Sequence, residues 1–336
     1  DEIGEILSKV KQKGECAVYL LGQGATDMTS QWIATAIAVP GEKVYYVSAS
    51  LNGADDAVMQ ILSDSSVKVV SPQVKRDYIM ARNLQPSITN PIVNYYDITI
   101  AHYLLQPEMR HSIDNLASIY FDKNIGKIED IVGKGSRQMS IFAIDDDALS
   151  QFACEQADMA MQLYPIINSE IEKEGLTRLL NDVELPLVRV LAEMEIAGVR
   201  IDVTALNEAS VALTTRLQEI EAEVFELAGE EFNIGSPAKV GEILFDKLRL
   251  DPKAKKTKTG QYSTSEEVLE KIAHLHPIVG KVLEHRQLRK LLSTYLNALP
   301  NTINPSTGKI HTTFNQALTA TGRLSSSKPN LQNIPI

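Results

Sequence analysis

The stretch Thr319-Ala-Thr-Gly-Arg-Leu-Ser-Ser-Ser-Lys-Pro-Asn-Leu-Gln-Asn-Ile-Pro-Ile336 decides how this chain is read. It carries no acidic charge, is rich in Ser, Thr, Asn and Gln, and sets Arg323 beside Gly322. It has no periodic apolar face of its own. Short polar donors beside an Arg and a Lys suit contacts to phosphates, sugars and the acceptor edges of the minor groove. The same composition also fits an ordinary polar loop.

The charge around this stretch separates from that of the remaining chain. From Asp251 onward there are twelve Lys and Arg against five Asp and Glu, a net of +7 within a protein of net −10. The first 250 residues hold 21 basic and 38 acidic residues, a net of −17. Such asymmetry points to a polyanion-facing end on an acidic body, the alternative being charges that segregate without function. At 336 residues and 44% hydrophobic content the chain has length and apolar material for two or three globular domains. No run of eighteen apolar residues occurs and Asp1-Glu-Ile-Gly-Glu lacks a basic n-region, so neither a transmembrane span nor a signal peptide is expected. Cys16 and Cys154 lie far apart without metal-ligand spacing. Reduced thiols in a cytoplasmic setting follow.

Apolar runs rich in strand formers occupy residues 16–21, 32–39, 43–48 and 67–70, with helical patterns between and after them. A mixed sheet covered on both faces is the expectation for residues 1–165. Leu185, Val188, Leu191, Met194 and Glu195 are spaced for a helix that Gly198 ends. Asp202 caps a long helix running to about Leu227, which Gly229 terminates, and Ser236-Pro237 opens another. Residues 253–260 read as a mobile loop, Ser265-Glu-Glu-Val as a helix start, and His285 to Tyr295 as a basic amphipathic helix with Leu288, Leu291 and Leu292 on its apolar side. Asn304-Pro-Ser-Thr-Gly308 is a turn between short strands, the second running from Lys309 to Phe314.

The order Thr319-Ala-Thr-Gly-Arg-Leu-Ser-Ser followed by Pro329-Asn-Leu-Gln-Asn-Ile-Pro resembles the first palm motif of the family A DNA polymerases, the bacterial DNA polymerase I family. The likeness continues through Glu184-Leu-Pro-Leu to Asp202, Glu230-Glu-Phe-Asn-Ile-Gly-Ser-Pro, Ser263-Thr-Ser-Glu-Glu-Val, His285-Arg286 to Tyr295, and Asn304-Pro to His311-Thr312. These run in register over about 150 residues. The first 165 residues resemble the family's 3′→5′ exonuclease domain more weakly. Its markers here are Asp77, Asp97, His111-Ser-Ile-Asp114-Asn-Leu, Gly133-Lys-Gly135 and Phe152-Ala-Cys-Glu155-Gln156-Ala-Asp158. The fold so implied is an α/β ribonuclease H-like 3′→5′ exonuclease-type domain (1–165) and connecting helices (166–200). A mostly α-helical polymerase thumb (201–300) and the first part of an α+β palm (301–336) follow.

A proofreading site of this family needs four carboxylates around two divalent ions. The first strand here runs Val18-Tyr-Leu-Leu-Gly-Gln23-Gly with no acid before Asp27, so Gln23 stands where the resemblance expects a Glu. Asp77 survives from the second motif. Phe152 and Gln156 replace the Tyr and Asp of the third. The implied reading is a vestigial exonuclease without catalytic residues or bound metal. The resemblance places the polymerase's own metal aspartates past Ile336 and the 5′-nuclease region upstream. The chain is therefore expected to be a truncated piece that does not extend primers alone, with Mg²⁺ and dNTPs belonging to the complete enzyme.

By resemblance, Arg286 and Lys290 face successive phosphates of the duplex from a thumb helix, with Ser293, Thr294 and Lys239 beside them. Leu292 stands where many relatives carry another lysine. Arg323 is implied to read minor-groove acceptors near the primer end, and Asn330, Gln332 and Asn333 to contact template and minor groove. A solvated helix face and turn chemistry remain the bland alternatives. Primer–template DNA is the expected partner of a monomeric cytoplasmic protein without membrane contact. Two rival functions stay open: an active 3′→5′ exonuclease of the ribonuclease D type, and a stand-alone non-catalytic DNA-binding module.

Overall fold

The computed structural model describes residues 2–24, 26–135, 138–257 and 260–334. The chain divides into two compact units. One comprises residues up to 198 together with 311–332, the other residues 199–310 and those after 332.

In the first unit, α1 (Glu2–Lys13) leads into β1 (Glu15–Gln23), β2 (Gln31–Ala38) and β3 (Val44–Ser48). Next come α2 (Ala54–Ser63), β4 (Lys68–Ser71), α3 (Val74–Leu84), β5 (Tyr95–Asp97) and α4 (Ile98–Leu105). The five strands form one sheet in the order β3-β2-β1-β4-β5. The β1–β2 and β2–β3 pairs are antiparallel, whereas β1–β4 and β4–β5 are parallel. Cys16, Val18 and Leu20 point into one core with α1 to α3, while Ala17 points into another. That second core is closed by α4, α5 (Ile113–Phe121) and α7 (Asp146–Lys173), with the short α6 (Ile128–Val132) preceding α7. Burial on both faces explains why β1 reads as an unbroken apolar run. The four strands expected within residues 1–165 are all present.

A short α8 (Thr177–Leu179) and a wider helical turn, Leu180–Glu184, run into α9 (Leu185–Ala197), which Gly198 ends at φ +62°. Leu185, Val188, Leu191, Ala192 and Glu195 are its buried positions. Glu195 is thus a carboxylate in a core slot.

The second unit is helical. Asp202 caps α10 (Val203–Ala228) by accepting from the Ala205 amide at 3.0 Å, and Gly229 closes it in the left-handed region. Ser236 and Pro237 open α11 (Pro237–Gly241), followed by the wide turn Glu242–Lys247. Ile220, Val224, Val240, Leu244, Leu269, Ile278 and Val282 form the core that holds α10, α11, α12 (Glu266–Ile272) and α13 (Pro277–Leu291) together.

Three local expectations are corrected. The helix placed at His285 to Tyr295 begins at Pro277, because His276 accepts from the Ile278 amide at 3.2 Å and Pro277 needs no donor at the first helical position. It then widens over Leu292–Leu296, where the Asn297 amide reaches back to the Leu292 carbonyl. The strand expected over Lys309 to Phe314 is broken. Asn304 bridges Lys309 and Val199 bridges Ile310, and only β6 (Thr313–Asn315) forms a hairpin, with β7 (Ser325–Ser327). The break falls where His311 and Thr312 are buried and hydrogen-bonded by their side chains. In the expected loop 253–260, Lys256 bridges Tyr262, and Lys258 and Thr259 lie outside the described residues. No described helix is long and apolar enough to cross a membrane.

Candidate functional site

The sheet ends in a cleft of about 490 Å³ lined by Tyr19, Gln23, Gln73, Arg76, Gln138 and Lys328, among others. Gln23 closes β1, just past a register shift between Leu21 and Gly22. Its Oε1 accepts from the Ile141 amide at 2.8 Å and the Ser140 hydroxyl at 3.2 Å. Gln23 therefore fastens the loop across the cleft and keeps that oxygen engaged with protein.

Gln156 lies on the buried face of α7 and donates to the Gly126 carbonyl at 3.1 Å, while Glu155 accepts from the Gly126 amide at 3.1 Å. Both backbone groups of Gly126 are thus held by α7. Phe152 is buried edge-on against Tyr19, ring centroids 5.6 Å apart. A phenol there could orient water; a phenyl ring packs.

Asp77 sits on the first turn of α3, fully enclosed, with the Ser71 hydroxyl donating to its Oδ2. Burial pushes its carboxyl up to about 7, against the Ser71 bond and the Arg76 charge, and nearby Asp97 pushes the same way. Asp97 caps α4 through the Ile100 amide at 3.0 Å and also accepts from the Val74 amide at 2.8 Å. Burial raises it to about 7 as well, opposed by those backbone donors. Arg76 donates to the Gly22 carbonyl at 3.3 Å and lies over the Tyr19 ring. Two divalent ions require several free anionic oxygens. Two neutral amides bonded to backbone and two enclosed carboxyls poised toward protonation do not fit such a pair. Among the described residues no three His, Cys, Asp or Glu converge as a metal-binding group.

A second set of polar residues follows β6. Glu195 Oε1 accepts from the Phe314 amide at 2.7 Å and from Lys75 Nζ at 2.5 Å, and Lys75 also donates to the Phe314 carbonyl. The Glu195 carbonyl meets His311 Nδ1 at 2.7 Å. Burial raises the Glu195 pKa and the Lys75 ammonium opposes it. Lys75 carried no sign of this role in the sequence, but Glu195 did, since a carboxylate at a core-facing position demands a partner. From this base the hairpin presents Arg323 exposed to solvent. Asn330 is exposed and its Oδ1 accepts from the Gln332 amide at 2.9 Å, while the Gln332 side chain donates to the Leu324 carbonyl at 2.9 Å. These two amides shape the turn they sit on. Asn333 is exposed, its carbonyl accepting from the Tyr295 hydroxyl.

In the helical unit, Lys290, Ser293 and Thr294 are exposed within one turn of each other. Arg286 differs. Its guanidinium donates to both the carbonyl and the hydroxyl of Thr264, the latter at 3.0 Å, and burial lowers its pKa. It braces the segment before α12 rather than pointing freely outward. Lys239 is exposed and paired with Glu242 at 2.6 Å. Leu292 is buried, so that position belongs to the core and presents no side chain to a ligand.

Two family models match successive stretches of this chain. Residues 23–163 match the model of the DNA polymerase I ribonuclease H-like domain, and residues 203–336 match that of DNA polymerase family A. DNA polymerase I of Geobacillus stearothermophilus is 44% identical over 242 residues, 72% of this chain and 27% of that protein. DNA polymerase I of Pseudomonas aeruginosa is 40% identical over 282 residues, 83% of this chain and 31% of that protein. The chain thus spans under a third of the length of these relatives. The POL domain of Pol1 from M. smegmatis, solved in complex with DNA primer-template and dNTP, superposes with a TM-score of 0.82 at 28% identity. That likeness covers all of this chain and 55% of the other. A ribonuclease H-like sheet followed by a helical region and a polar hairpin, each matched in order, means that this chain belongs to the family A DNA polymerases.

Proposed function

We propose that the complete protein is a DNA-directed DNA polymerase of replication and repair, adding dNTPs to a primer 3′ end, and that this chain supplies duplex contacts on a scaffold without proofreading chemistry. The observation that carries the second half is the engagement of Gln23 and Gln156 with backbone groups, where metal ligands would be needed. Neither amide can neutralise a dication, and ligands that act as a unit are not lost piecemeal with mild effect. Family A DNA polymerases depend on divalent metal, and Mg²⁺ is the ion proposed for the complete enzyme. Lys290, Ser293 and Thr294, with Lys239, are the proposed phosphate contacts. Arg323, Asn330, Gln332 and Asn333 are proposed for the minor groove and template. The protein is proposed to act as a cytoplasmic monomer.

A 5′-labelled single strand incubated with this chain and Mg²⁺ or Mn²⁺ tests the scaffold reading. No stepwise shortening is expected. Shortening that disappears in Asp77→Ala would establish an active exonuclease instead. Fluorescence anisotropy with primer–template duplex tests the binding reading. Neutralising three to five phosphates gives a slope of log K on log salt of about −3 to −5, and a slope near zero rules it out.

A further inference from the structure

We infer that Tyr103, in the ribonuclease H-like sequence, is a positioning residue for Arg323, an inference that rests on the proposed role of Arg323 at the primer end. Tyr103 lies on α4, 216 positions before Thr319, with its side chain buried. Its hydroxyl donates to the Thr319 carbonyl at 2.7 Å and accepts from the Gly322 amide at 3.1 Å. A single oxygen therefore closes the two ends of the turn that delivers Arg323. Thr319 completes the closure, its own hydroxyl donating to the Arg323 carbonyl at 2.6 Å.

The turn has little else to hold it. Ala320, Thr321, Gly322 and Arg323 are exposed, and Leu318 is 66% exposed, so apolar packing does not determine its path. Gly322 sits at φ +75°, a conformation that glycine alone adopts without strain and that therefore needs an external bond to be kept among alternatives. The hairpin base is fastened independently, through Lys75 and Glu195 at Phe314 and through the Gln316 side chain, which donates to the Glu184 carboxylate at 2.6 Å. Tyr103 is itself rigid. Its ring stands edge-on to His111 at 5.6 Å, and His111 in turn meets His102 through their Nδ1 atoms at 2.8 Å. The first part of the chain thereby gains a use that nuclease chemistry does not supply: it aims a side chain of the polymerase hairpin.

Tyr103→Phe deletes the hydroxyl and keeps the ring. In this chain, amide hydrogen exchange at Gly322 should rise about 5- to 10-fold, with the β6–β7 amides unchanged, since the loss is confined to the turn's own bonds. Unchanged Gly322 protection overturns the inference whatever the kinetics. In the complete polymerase, single-turnover incorporation should fall about 5-fold in Tyr103→Phe and about 100-fold in Arg323→Ala, with primer–template Kd within about 2-fold in Tyr103→Phe. Tyr103→Phe added to Arg323→Ala should cost nothing further, because a positioning group has no effect once its target is gone. A full additional 5-fold loss in that background, or wild-type incorporation by Tyr103→Phe beside a crippled Arg323→Ala, overturns the inference. A wild-type rate for Arg323→Ala sinks the proposed role of Arg323 instead, and the exchange measurement then still decides whether Tyr103 holds the turn.

Discussion

The cleft at the end of β1 and the helical face around Lys290 both carry polar side chains and use them in opposite ways. In and behind the cleft, Gln23, Arg76, Gln156, Asp77 and Asp97 are all bonded to other protein groups, mostly to backbone. On the helix, Lys290, Ser293 and Thr294 face solvent. A dication needs free anionic oxygens and a polyanion needs free cations. Residue type therefore says less about a ligand than whether the side chain already has a partner. Arg286 and Lys290, one turn apart on α13, carry the same lesson within a single helix.

The largest effect expected to sharpen this contrast lies at the base of the hairpin. Glu195→Ala leaves the Lys75 ammonium and the Phe314 amide without their partner in a buried place and should cost about 3–5 kcal/mol. Denaturant unfolding checks it, and a loss below about 1 kcal/mol would mean that Lys75 reaches solvent easily.

The pH response of the enclosed Asp77 is the second test. Asp77 has a native pKa raised to about 7 from 3.8, so its neutral form is the one favoured by folding. Stability from this group is fully present below about pH 4 and is lost as pH rises through about 7. Asp77→Asn keeps the shape without the charge. It should be nearly neutral below about pH 4, stabilise increasingly as pH rises toward 7, and gain about 4 kcal/mol at pH 8, since each pK unit is worth about 1.4 kcal/mol. A difference in Tm between variant and wild type that stays flat from pH 5 to pH 8 would show that Asp77 is ionised in the native state.

The smallest and most discriminating comparison is between the two cations of α13. Lys290→Ala should flatten the salt slope of duplex binding by about 0.9 and leave stability within about 0.5 kcal/mol. Arg286→Ala should do the reverse, costing about 1–3 kcal/mol through the orphaned Thr264 carbonyl while leaving the slope unchanged. Equal slope changes from both variants would mean that Arg286 leaves Thr264 to meet phosphate.

Much of the architecture could be read from local chemistry. The four apolar runs became β1 to β4 because strand formers buried on both faces leave a continuous signal. Asp202, Gly229 and Ser236-Pro237 marked helix ends because capping depends on neighbouring backbone alone. The start of α13 was missed because its cap is a histidine, an unusual acceptor for that position. The strand over 309–314 was overextended because alternating polarity cannot tell that His311 and Thr312 bond through their side chains to distant groups.

The sequence by itself determined the family, the order of the regions, the lack of an acid between Val18 and Asp27 and the polar, acid-free composition around Arg323, since all of these are properties of residue order. Only the tertiary structure decided which charges have partners. It enclosed Asp77 and Asp97, turned Arg286 onto Thr264, paired Lys75 with Glu195 across 120 positions and brought Tyr103 to the turn before Arg323. Hydrogen bonds and Coulomb interactions act over a few ångströms of space, whatever the separation along the chain.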